Sequence, residues 1–155
     1  MYTARRALTA LIVLCALALA AAPAFAQTNA ARTLTFTEQD INAAFRVTNP
    51  PRRTVTNVHV DLQPGQVLIS ATLTYRGRAP MQVTATYVPS ITSGRVYWSV
   101  SAATVNGKPA SQELLQQINL SISASWRSYF RHQLPPGRVT AIDITEDAIT
   151  VTLAA

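Results

Sequence analysis

The chain reads as an α+β domain in which a curved antiparallel sheet of about six strands packs around one long helix in the C-terminal half, in the order α-ββββ-α-ββ. Three observations carry this reading. Ser111 to His132 holds no Gly or Pro and repeats apolar residues in steps of three and four. Residues 57–102 instead alternate apolar with polar residues, interrupted by short turn sequences. Two more alternating segments follow the helix stop at Pro135-Pro136-Gly137.

The first 26 residues read as a secretory signal peptide. Arg5 and Arg6 precede an apolar run from Ala7 to Ala21, and Ala24-Phe25-Ala26 forms a small-x-small cleavage site before Gln27. The apolar run is short for a membrane span of ~20 residues, which favours cleavage over an anchor. Cys15 follows Leu14, where a lipoprotein signal needs a small residue. The expectation is therefore one domain over residues 27–155, exported to the periplasm, cell envelope or exterior. Cys15 is the chain's single cysteine and leaves with the leader. An exported domain without disulfides is held by packing, and thiol catalysis and thiolate metal sites are excluded.

The formal charge is +6, of which Arg5 and Arg6 supply two. That mild excess suits a soluble protein or an anionic surface, and it is not the dense basic stripe of a nucleic-acid binder.

Taken in order, Gln27 to Arg32 is expected to be a frayed terminus. Thr37 caps a short helix, Asp40 answers it three residues on, and Phe36 and Ile41 flank the cap as a staple. Asn49-Pro50-Pro51 ends that helix. The first strand alternates through Val58, Val60 and Leu62 and turns at Pro64-Gly65; the second runs through Val67, Ile69, Ala71, Leu73 and Tyr75 to a turn at 76–80. Met81, Val83, Ala85 and Tyr87 mark the third, and after Ser93-Gly94 the fourth takes Val96, Trp98, Val100 and Ala102. Asn106-Gly107 closes it. The long helix, roughly 33 Å at ~1.5 Å per residue, presents Leu115, Ile118, Ile122, Trp126, Tyr129 and Phe130. Its polar face carries Gln116, Gln117, Ser121, Ser123, Arg127 and Arg131. Val139, Ile142 and Ile144, then Ile149, Val151 and Leu153, form the last strands.

No catalytic pattern is present. The sequence contains no Gly-rich phosphate loop, nucleophile elbow or HExxH. His59 lies two residues from Asp61 on a polar strand face, and His132 in the helix's last turn suits its dipole. No catalytic residue, metal site or cofactor is expected. The aromatic residues read either as a packed core or as a groove between sheet and long helix, lined by Leu73, Tyr87, Trp98, Ile118, Ile122 and Trp126, that admits an acyl chain. Small residues at Ala71, Ala85 and Ala102 leave room in it. Arg76, Arg78 and Arg95, at the turns, are the candidate headgroup contacts.

Four short patterns carry a resemblance: Thr37 to Asn42, Leu62 to Val67, Val105 to Ala110, and Ile142 through Val151. Together they resemble exported bacterial proteins of the LmeA type, small lipid-binding domains with half of a tubular lipid-binding (TULIP, BPI-like) fold. Asp147-Ala148 stands where the pattern has Asp-Gly. The resemblance implies a curved sheet around a long helix with acyl chains between them, and it brings no catalytic residues. The leading expectation is thus a non-enzymatic exported domain that binds a lipid, a membrane surface or another amphipathic ligand. The alternative is a cystatin-like module that binds another envelope protein through a strand edge or its turns.

Overall fold

A computed structural model describes residues 31–49 and 53–155. The leader and its cleavage site lie outside the described residues. The elements are β1 (Arg32–Thr37), α1 (Glu38–Ala44), β2 (Arg53–Gln63), β3 (Gln66–Tyr75), β4 (Met81–Thr92), β5 (Arg95–Val105), β6 (Lys108–Pro109), α2, β7 (Val139–Ile144) and β8 (Ala148–Leu153). Helix α2 has three parts: Gln112–Ile118, a π-helical turn Asn119–Ser123, and Ala124–Gln133.

The fold is α+β, as the alternation of periods two and 3.6 requires. Among the described residues it has eight strands rather than six, in two antiparallel sheets: β2-β3-β4-β5-β6 and β1-β8-β7. Two strands escape the sequence reading. β6 is only two residues long. β1 begins at Arg32, where a frayed terminus was expected, because Leu34 and Phe36 pack on the core while β8 supplies its hydrogen bonds.

The turns are built as their residues dictate. Ser93-Gly94 and Asn106-Gly107 both have positive φ at both positions, the geometry of two-residue hairpin loops. At Gly94 (φ 74°) an added Cβ would also lie 3.1 Å from the Cβ of Arg138. Two bulges bend the large sheet, one after Thr56 with Asn57 at φ 50° and one between Thr86 and Tyr87. The second changes the phase of β5. Thr86 faces Ala102 and Tyr87 faces Val100, so Ser101 is the extra residue. Ala102 is consequently exposed and Ala103 packs against the core, correcting the alternation read through Ala102.

The small sheet closes one end of the large one. Gly65 N–H donates to Ile144 O at 3.0 Å and Val139 N–H to Gly94 O at 2.9 Å. Strand β7 therefore runs from the β4–β5 hairpin tip to the β2–β3 tip.

Helix α2 supplies the interior through Ile118, Ile122, Trp126 and Phe130, all buried and spaced by four. At about 100° per residue, each step of four drifts by about 40° around an α-helix. The wider π-turn takes up part of that drift, and the stripe stays on the core. It also carries Ser121 and Ser123 inward, where a polar face was expected; both are buried. Ser121 returns its hydroxyl proton to Gln117 O at 2.8 Å.

Helix α1 guards the outer edge of β2. Thr37 caps it as expected, accepting from Asp40 N–H at 3.1 Å. The Asn42 side chain donates to Val60 O at 2.7 Å and accepts from Val60 N–H at 2.8 Å, imitating a neighbouring strand. Glu38 accepts from Leu62 N–H at 2.8 Å. Asn42→Ala removes the strand mimic and is expected to lower the free energy of unfolding by about 1–3 kcal/mol. Urea denaturation measures it, and an unchanged midpoint would show that the edge does not need Asn42.

Candidate functional site

The six residues expected to line a groove do converge, but on a filled interior. Leu73, Tyr87, Ile118, Ile122 and Trp126 are at most 1% exposed and Trp98 is 7% exposed. Aromatic rings occupy the interface. Trp126 meets Phe45 edge-on at 5.4 Å and Trp98 at 5.2 Å, and Phe130 meets Trp98 at 5.0 Å and Phe36 at 5.7 Å. Ala71 and Ala85, read as leaving room, are buried in the same core. Such edge-to-face pairs each add ~0.5–1.5 kcal/mol beyond their area, so a ligand that displaced them would forfeit several.

The three candidate headgroup arginines do not gather. Arg76 and Arg78 lie in the β3–β4 turn and Arg95 follows the β4–β5 turn. Those turns lie at opposite ends of β4, a 12-residue strand that spans roughly 40 Å at ~3.3 Å per residue. Adjacent hairpin tips in a meander alternate ends, so proximity in sequence misleads here.

Arg95 instead meets residues from elsewhere in the chain. A surface cleft of about 810 Å³ opens between the start of β5, the last turns of α2 and the Pro135-Pro136-Gly137 loop. Trp98, Phe130, Val96, Leu134 and Val139 supply its apolar wall, and Arg95, Arg127 and Arg131 line it with no Asp or Glu. All three arginines are exposed. Arg127 and Arg131 stand four apart, one turn along the same helix face. Trp98 also brings an indole N–H that is buried without a hydrogen-bond partner among the described residues. Arg76 and Arg78 line a separate cleft of about 430 Å³ with Arg53 and Tyr75.

Tyr87 lies in the core against the middle of α2. Its Oη and the Ser123 Oγ are 2.9 Å apart, a buried hydroxyl pair. Burial pushes its phenol up to about 12, against smaller downward pulls from the Ser123 bond and the Arg127 charge. His59 is exposed, and Asp61 accepts from Gln63 at 3.0 Å. Among the described residues no group of three or more His, Cys, Asp or Glu could hold a metal ion, and no helix is long and apolar enough to cross a membrane.

The cleft was hard to find in the sequence. Arg127 and Arg131 read as a solvated helix face, and only the four-residue spacing followed by a Pro-Pro-Gly stop hinted at a basic helix end. Comparison with protein-family models, curated proteins and solved structures finds no match to this chain.

The Tyr87 phenol makes stability depend on alkaline pH. Its folded value lies above the ordinary 10, so the native state keeps a proton that the unfolded chain loses. Stability from this group is complete below pH 10 and falls by about 1.4 kcal/mol per unit as pH rises toward 12. Tyr87→Phe is expected to flatten that decline in denaturation curves taken between pH 9.5 and about 11.5. An identical slope in the variant would remove Tyr87 from the account.

Proposed function

We propose that this chain is an exported, non-catalytic binding domain whose ligand is an anionic amphiphile, held in the cleft between β5 and the end of α2. The observation that carries this reading is three arginines on an aromatic-walled cleft with no carboxylate among its lining. The apolar part of the ligand rests on Trp98, Phe130 and Leu134, and its acidic group meets Arg95, Arg127 and Arg131. Clefts of roughly 300–1,000 Å³ with apolar walls and a few placed charges are the usual form of a ligand site. Membership of the LmeA-type lipid-binding families is part of this proposal and rests on the four sequence patterns. The site differs from the one that resemblance implies, because it lies at the surface rather than between sheet and helix. Export rests on the leader pattern.

Dodecyl phosphate titrated into the protein is expected to change the fluorescence of Trp98, one of two tryptophans. Exposed charges are screened over about 10 Å at 0.1 M salt, so affinity should fall as salt rises. Arg127→Gln with Arg131→Gln should weaken dodecyl phosphate at least about tenfold and leave a neutral dodecyl glycoside unaffected. Equal affinity for both amphiphiles in the parent protein would contradict an arginine-held ligand.

A further inference from the structure

Resting on that cleft as the binding site, we infer that its ligand is an extended acidic peptide that adds as a strand to the free edge of β5. The edge can be read from the hairpin. Ser93-Gly94 is a two-residue loop, so Thr92 and Arg95 form the hydrogen-bonded pair that closes it. Bonding pairs then recur at Ser90 with Tyr97 and Val88 with Ser99. The backbone N–H and C=O groups of Val96, Trp98 and Val100 must point the other way, out of the sheet. Pro89 stands opposite Trp98, a place where β4 owes β5 no donor.

The same counting is verified on the opposite edge. From the Pro64-Gly65 loop it turns Leu62 and Val60 outward, and those are the groups that Glu38 and Asn42 satisfy. Asn49 does the same for Val55 N–H at 2.6 Å. The edge of β2 is thus tied down by three side chains. On β5, β6 covers only Thr104 and Val105, and Ala110 N–H reaches Ala103 O. Between Val96 and Val100 no backbone or side-chain group of the described residues bonds the outer edge. Nor does that stretch contain the Lys, Pro or inward charge that usually protects an edge strand.

That open segment borders the cleft, whose lining runs from Gly94 to Trp98 on β5. An added strand places alternate side chains on the side of Trp98 and Phe130. Its carboxylates meet Arg95, Arg127 and Arg131. An acyl chain would leave the backbone groups of Val96 and Trp98 unpaired, and a strand satisfies them. A second copy of this chain is disfavoured, since pairing two β5 edges brings both sets of arginines to one seam.

The test titrates the protein, purified after expression from its full-length sequence, with three probes. They are an eight-residue peptide alternating valine and glutamate, the same peptide N-methylated at alternate amides, and dodecyl phosphate. The unmodified peptide should bind, and amide resonances of Val96, Trp98 and Val100 should shift. N-methylation, which removes peptide donors without changing charge, should weaken binding at least about tenfold. Val100→Pro removes one outward donor beyond the cleft lining, where a proline is tolerated, and should weaken the peptide while sparing dodecyl phosphate. Equal binding of both peptides overturns strand addition and leaves a charge-held cleft. Dodecyl phosphate binding with no peptide binding also overturns it and leaves the cleft reading standing. If no probe binds, both fall. Self-association through β5 in sedimentation overturns the peptide in favour of a second copy.

Discussion

The four-residue spacing of Ile118, Ile122, Trp126 and Phe130 is the constraint on which the rest of the molecule depends. A regular α-helix cannot keep such a stripe on one flat surface, because it drifts around the axis. The π-turn at Asn119–Ser123 absorbs part of the drift. Trp126 can then sit among Phe45, Trp98 and Tyr129 while Phe130 still reaches Trp98 and Phe36. Residues from β1, the loop after α1, β5 and α2 thus meet in one aromatic cluster. The wider turn also brings Ser123 under the sheet, where Tyr87 satisfies it. A buried hydroxyl without a partner would cost about 1–3 kcal/mol, so tyrosine rather than phenylalanine at 87 follows from the helix geometry.

Closing the core in this way moves the chemistry to the surface. With rings filling the sheet–helix interface, the accessible apolar wall lies between the start of β5, the last turns of α2 and the Pro135-Pro136-Gly137 loop. The Val139–Gly94 hydrogen bond fixes that loop against the β4–β5 tip. Arg138 lies over Gly94, where any Cβ would crowd it. The cleft is therefore framed by backbone contacts, and the arginines project from rigid elements. The two edges of the large sheet are treated unequally: α1 and Asn49 satisfy β2, and among the described residues none bonds the outer edge of β5 beside the cleft.

Much of the architecture was legible. The long helix, Thr37 as a cap, the hairpin turns and the helix stop all rest on local rules, and local rules survive tertiary context here. Non-local effects were not legible. The division into two sheets depends on β1 pairing with β8 across more than a hundred residues of sequence. The bulge at Ser101 exchanges Ala102 for Ala103 without any signal from Gly or Pro. Ser121 and Ser123 read as polar-face residues because a regular helix was assumed. Of the candidate site, Trp98 and Arg95 were named in advance, but as parts of two different features. Arg76 and Arg78 belong to the far end of β4. The meander separates neighbouring turns and the helix reunites distant residues, and neither is visible in spacing alone.

Amide hydrogen exchange in the free protein tests the contrast between the tied edge and the open one directly. Val60 and Leu62, whose N–H groups are held by Asn42 and Glu38, should exchange slowly. Along β5, Tyr97 and Ser99 should be protected, and Val96, Trp98 and Val100 should exchange at least about a hundredfold faster, an alternation set by the hairpin register. Uniform slow exchange from Val96 to Val100 would mean that the edge is already satisfied, and would contradict a binding site built on it.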